Sequence, residues 1–94
     1  MRTIHKYEVA ISRETQAIDL PESANVIHVE YLMPRRAIFM WAEVPADLTV
    51  KKEQRHFRVF FTGDGIPNNA QHLGSTVDQY LPEVYHVYEL TGQD

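Results

Sequence analysis

From Arg55 to Thr62 the chain reads Arg-His-Phe-Arg-Val-Phe-Phe-Thr, and it then breaks at Gly63-Asp64-Gly65. Successive side chains on a strand point to opposite faces. Phe57, Val59 and Phe61 therefore share one side of this run, and His56, Arg58 and Phe60 share the other. The run dictates a sheet, and the same period recurs on either side of it. Over residues 3–11, Tyr7, Val9 and Ile11 alternate with Lys6, Glu8 and Ala10. Ala17 to Leu20 is a short strand stopped by Pro21. In 26–33 one phase holds Ile27, Val29, Tyr31 and Met33. Pro34-Arg35-Arg36 then turns this strand into a hairpin with Ala37–Val44. Residues 46–54 read as a loop, because Leu48 and Val50 fit no helical stripe. A helical turn is expected at Asn69 to Leu73, a short strand at Ser75 to Val77, a closing strand at Val84 to Leu90 and a tail over 91–94. The expectation is an all-β fold, a small antiparallel sandwich or partly open barrel of about seven short strands, in one domain spanning 1–94.

A chain of 94 residues has room for one hydrophobic core, and its 44% apolar content is enough to fill it. The absence of cysteine excludes disulfides, zinc–thiolate sites and a thiol nucleophile, and suits a reducing cytoplasm. No apolar run reaches the length of a spanning helix, and Met1-Arg-Thr-Ile-His-Lys-Tyr7 lacks the apolar segment of a signal peptide, so no membrane is expected. A net charge of −4 without any Lys/Arg cluster argues against a nucleic acid as partner.

The strands carry apolar residues in both phases. Ile38, Met40, Ala42 and Val44 are backed by Phe39 and Trp41, and Phe57, Val59 and Phe61 are backed by Phe60. A small sandwich normally wets the outer face of each sheet, so something must cover these rings. Three candidates stand open: another segment of the chain, a second subunit in a homo-oligomer, or a ligand.

Chemistry-bearing residues are sparse. His5, His28, His56, His72 and His86 are scattered singly, so no metal site is expected, and no cofactor. Ser12, Ser23 and Ser75 lie in or beside expected turns, none in a Gly-x-Ser-x-Gly elbow. No nucleophile–base pair can be drawn, which argues against an enzyme and leaves no catalytic residue to name. Gly63-Asp64-Gly65 is either a backbone nest for an anion or a turn that needs glycine. The best binding set is Phe39, Trp41, His56, Arg58 and Phe60, with Gly63, Asp64 and Gly65 in the adjoining loop. Rings stack on planar groups and Arg grips phosphate, so this set suits a small nucleotide-like ligand.

Short motifs strung along the chain add a resemblance. They are Ile4-His-Lys-Tyr7, Ile18-Asp-Leu-Pro21, Trp41-Ala-Glu-Val44, Arg55 through Pro67, Gly74-Ser-Thr-Val77 and His86-Val-Tyr-Glu-Leu90. In this order they resemble a family of small uncharacterised proteins of tailed phages and prophages. The loop departs from that family's commoner Gly-His-Pro-Ile-Pro form, reading Gly63-Asp-Gly-Ile-Pro67 here. The resemblance implies a phage-encoded accessory protein in a bacterial cytoplasm. On that footing the expected role is sequestration of a nucleotide-derived host immune signal by a homo-oligomer. The alternatives are a module that inhibits a host defence protein and a virion or assembly component.

Overall fold

The computed structural model describes residues 1–92, so the last two residues of the expected tail lie outside it. Seven strands form two antiparallel sheets, with no helix among the described residues: β1 (Arg2–Val9), β2 (Gln16–Pro21), β3 (Asn25–Leu32), β4 (Ala37–Pro45), β5 (Lys52–Phe61), β6 (Ala70–Asp78) and β7 (Glu83–Leu90). One sheet has the order β1-β4-β3 and the other β2-β5-β7-β6. The result is a sandwich, not a closed barrel. Its core lies between the sheets, where Ile38, Met40, Ala42 and Val44 of β4 meet Phe57, Val59 and Val87, all fully buried.

β3 and β6 close one side of the sandwich. The Tyr31 N–H donates to Thr76 Oγ1 at 2.7 Å, joining the two sheets directly. This approach requires Gly74, where a Cβ would stand 2.9 Å from Val29 Cβ. Near the opposite end of the molecule Arg55 lies between the sheets. Its Nε and Nη2 grip the Glu89 carboxylate at 2.6 and 2.7 Å, and Nη1 donates to the Ala24 carbonyl at 2.7 Å. Two parallel charge-assisted bonds satisfy a guanidinium that the core would otherwise exclude, and they hold it firmly protonated.

Three strand expectations are corrected. β1 stops at Val9 rather than Ile11, because the Gln16 side-chain amide takes both backbone groups of Ala10, at 2.8 and 3.0 Å. Ile27 does not share the phase of Val29. The β3–β4 register slips between Val26 and His28, so Val26 packs on the core and Ile27 is exposed. Asn69–Leu73 is not a helical turn, since β6 already pairs Ala70 with Leu90 and continues through Asp78. A second slip, between His72 and Gly74, inserts Leu73 and breaks the alternation by which the strand would have been recognised.

Candidate ligand-binding cleft

The residues expected to bind together fall on opposite sides of the sandwich. Phe39 and Trp41 are on the outer face of the three-stranded sheet, and His56, Arg58 and Phe60 are on the outer face of the four-stranded sheet. Gly63, Asp64 and Gly65 occupy the loop after β5. No single pocket can use both sets.

The question of what covers the outer rings has an answer within the chain. Lys6 Nζ lies 4.9 Å from the Phe39 ring centre, and Arg35 approaches the same ring at 5.9 Å. Arg58 lies over Phe60 at 4.6 Å, and Tyr88 meets Phe60 edge-on at 5.2 Å. Long basic side chains thus bury their stems and rest cations on the rings. Phe39 is 5% exposed and Phe60 0%. Neither ring is free to stack on a ligand, and neither needs a second subunit to cover it. Trp41 is half-buried, against His28 at 5.5 Å, and His28 is paired with Glu30 at 2.9 Å.

The loop is occupied by its own aspartate. Asp64 accepts the Phe61 N–H at 2.9 Å and Arg13 Nη1 at 2.5 Å. The Phe61 N–H first, then the Arg13 guanidinium, holds its carboxyl below the usual carboxylate range. Arg13 also covers the Phe61 ring at 4.4 Å. A carboxylate in this position opposes the anion nest. The glycine requirement is local to Gly63, whose φ of 99° only glycine adopts readily.

The concave feature lies elsewhere, at the end where two hairpin turns meet. The β3–β4 turn (Met33–Arg36) and the β6–β7 turn (Gln79–Pro82) enclose a cleft of about 360 Å³ lined by Tyr31, Met33, Arg36, Asp78, Tyr80 and Leu81. A shallower hollow of about 250 Å³ adjoins it and shares Tyr31, Met33 and Tyr80. The first volume lies in the range of small-molecule sites. Asp78 is 3% exposed and takes the Tyr80 N–H at 3.0 Å, which shapes the second turn. Asp78 also acts on the phenols of Tyr31 and Tyr85. Burial first, and then Asp78, pushes both phenols above their ordinary range. The Arg36 charge partly offsets that shift at Tyr31.

Arg36 is the unusual member. Its φ is 49°, the left-handed region that favours glycine or asparagine, and its N–H closes the turn onto the Met33 carbonyl at 3.1 Å. Among the described residues it has neither an ion pair nor a ring beneath it. Met33, Tyr80 and Leu81 beside it are 46%, 76% and 69% exposed, although all three have large apolar surfaces. None of these six lining residues was in the set expected from sequence. The available signal was a pair of turns carrying Met33, Tyr80 and Leu81 where polar residues are usual.

Comparison with known protein families matches residues 1–94 to a family described as a domain of unknown function (DUF7352), and the chain belongs to that family. No match was found among curated proteins or among solved structures.

Proposed function

We propose that this domain binds a small, planar, anionic ligand of nucleotide type in the end cleft, and holds it without transforming it. The observation that carries this reading is Arg36, a cation kept in a glycine-type conformation at the mouth of a cleft of matching size. Arg36 supplies a fork for phosphate or carboxylate, and Tyr31 and Tyr80 supply aromatic walls. Asp78, buried and accepting the Tyr80 N–H, braces the turn that carries the Tyr80 wall. The cleft lining holds no serine, histidine or lysine to act as nucleophile, which is why the reading is retention rather than turnover. The resemblance to small tailed-phage proteins supports a biological setting in which the ligand is a host immune signal and the domain removes it from circulation.

Self-association belongs to the same proposal. It is supported by the apolar rim of Met33, Val77, Tyr80 and Leu81, because two such rims brought together would bury surface that one subunit exposes. The same rim favours a second reading, docking onto a host protein, and a stoichiometric partner recovered with the domain would select it. The deciding experiment is native mass spectrometry of freshly purified protein, followed by thermal-shift measurements with 5′-mononucleotides and cyclic nucleotides. Retained small-molecule mass, or a melting shift that Arg36→Gln removes, is the expected result. A ligand-free protein that no nucleotide stabilises at high concentration refutes the proposal.

A further inference from the structure

We propose that Ser75 is a reactive serine able to accept an acyl group, with His86 as its base and His72 as the donor that meets the developing negative charge. This goes beyond the binding reading and concerns a different surface, the outer face of the four-stranded sheet; either can fail without the other. Ser75, expected at the start of a short strand beside a turn, lies well inside the longer β6, directly across from His86 of β7. A continuous hydrogen-bonded chain passes through it. His72 Nε2 is 2.9 Å from Ser75 Oγ, Ser75 Oγ is 2.8 Å from His86 Nδ1, and His86 Nε2 is 3.1 Å from Thr62 Oγ1.

The serine hydroxyl has one proton and two imidazole neighbours, so with neutral rings one must accept from it and the other donate to it. In the productive arrangement His72 Nε2–H donates to Ser75 Oγ, and the Ser75 hydroxyl donates to His86 Nδ1. In this arrangement His86 Nε2–H donates to Thr62 Oγ1, a partner compatible with the tautomer that leaves Nδ1 free as a base. The rings are held by packing as well. Tyr88 meets His72 at 5.1 Å and Phe60 at 5.2 Å, and Phe60 is fully buried beneath them. Ser75 and His72 are exposed, so a small acyl donor has access.

The step balances with these groups alone. Ser75 Oγ attacks the carbonyl carbon of an ester, and its proton passes to His86 Nδ1. The carbonyl oxygen becomes an oxyanion one bond away from the carbon joined to Oγ, beside His72 Nε2–H. The bond to the leaving group then breaks, the departing alkoxide takes the proton from His86, and an acyl-serine remains for water to hydrolyse. The substrate class is a small, unhindered, activated ester, since a flat sheet face offers nothing to hold a bulky one.

The test treats the intact protein with p-nitrophenyl acetate, following nitrophenolate release together with peptide mapping. The expected result is an acetyl group on Ser75, absent in Ser75→Ala, with acylation slowed about 100-fold in His86→Gln. Thr62→Val should slow it less, and should change its pH profile by removing the acceptor of His86 Nε2–H. Thermal melts of each variant separate lost chemistry from lost folding, and Ser75→Ala at an exposed position is expected to melt as the parent does. Acetylation confined to lysines or the N-terminus, or a Ser75→Ala protein that reacts at the parental rate, overturns the assignment.

Discussion

Arg36→Gly separates what this residue costs the fold from what it does for the cleft. A non-glycine residue in the left-handed region costs about 1 kcal/mol. Glycine relieves that cost, but its extra freedom in the unfolded chain returns roughly half of it. The net expectation is a stabilisation of about 0.5 kcal/mol, which for a chain of this size is a rise in Tm of about 2–4 °C. Binding should move the other way. A hydrogen bond to a charged group contributes about 1.5–3 kcal/mol, so affinity should fall roughly tenfold to a hundredfold. Ser23 provides the control. Its φ is 63°, and it sits in the turn before β3, at the opposite end of that strand from the cleft. Its carbonyl accepts from Arg2, a backbone contact that a glycine keeps. Ser23→Gly should therefore raise Tm similarly and leave affinity unchanged. The assay is thermal melting of both variants, with titration calorimetry against whichever mononucleotide stabilises the parent most. The reasoning fails if Arg36→Gly lowers Tm, or if its affinity matches that of Ser23→Gly.

Other perturbations test the fold that positions the cleft. Gly74→Ala places a Cβ within 2.9 Å of Val29 Cβ and should destabilise by about 1–3 kcal/mol in denaturant titration, with partial recovery in the double variant carrying Val29→Ala. Removing one partner of the Arg55–Glu89 pair, as in Glu89→Gln, should cost about 3 kcal/mol, whereas Arg55→Met with Glu89→Leu should lie close to the parent in a double-mutant cycle. Asp64 has a lowered carboxyl pKa in the folded state, so between its folded and unfolded values the unfolded chain binds more protons. Its contribution is present above about pH 4 and is lost as pH falls through the folded value. Asp64→Asn should flatten the acid limb of the stability–pH curve; a limb of unchanged steepness would show that other carboxylates dominate it.

The strands were legible wherever one residue per step kept the period of two, and illegible where a bulge added a residue. β4 and β5 carry an unbroken alternation, and their inward sets are the observed core. In β3 and β6 a register slip sits inside the strand, and those are the places where the alternation puts Ile27 on the wrong side and Asn69–Leu73 reads as a helical turn. The cleft was illegible for another reason. Its walls come from two turns in separate hairpins, brought together by the β3–β6 junction between residues 45 positions apart, as in the Tyr31–Thr76 bond. No local pattern encodes that meeting. The chain does carry its trace, in apolar side chains placed on turns.

The outer aromatic rings raise a different point about inference from pattern. Apolar residues in both phases of a strand need a cover, and of the chain itself, a second subunit and a ligand it is the chain that supplies it: Lys6 and Arg35 cover Phe39, and Arg58 and Tyr88 cover Phe60. Together with Arg13 on Phe61, four cationic side chains rest on rings of the same chain. A basic residue spaced to overlie an aromatic is thus part of the sheet's own covering, and its charge is partly committed to the ring. That distinction turns attention from Arg58, which has a ring beneath it, to Arg36, which has none. A cation with no ion pair or ring partner among the described residues, in a conformation that a glycine would adopt at lower cost, is the residue whose side chain has something other than folding to account for it.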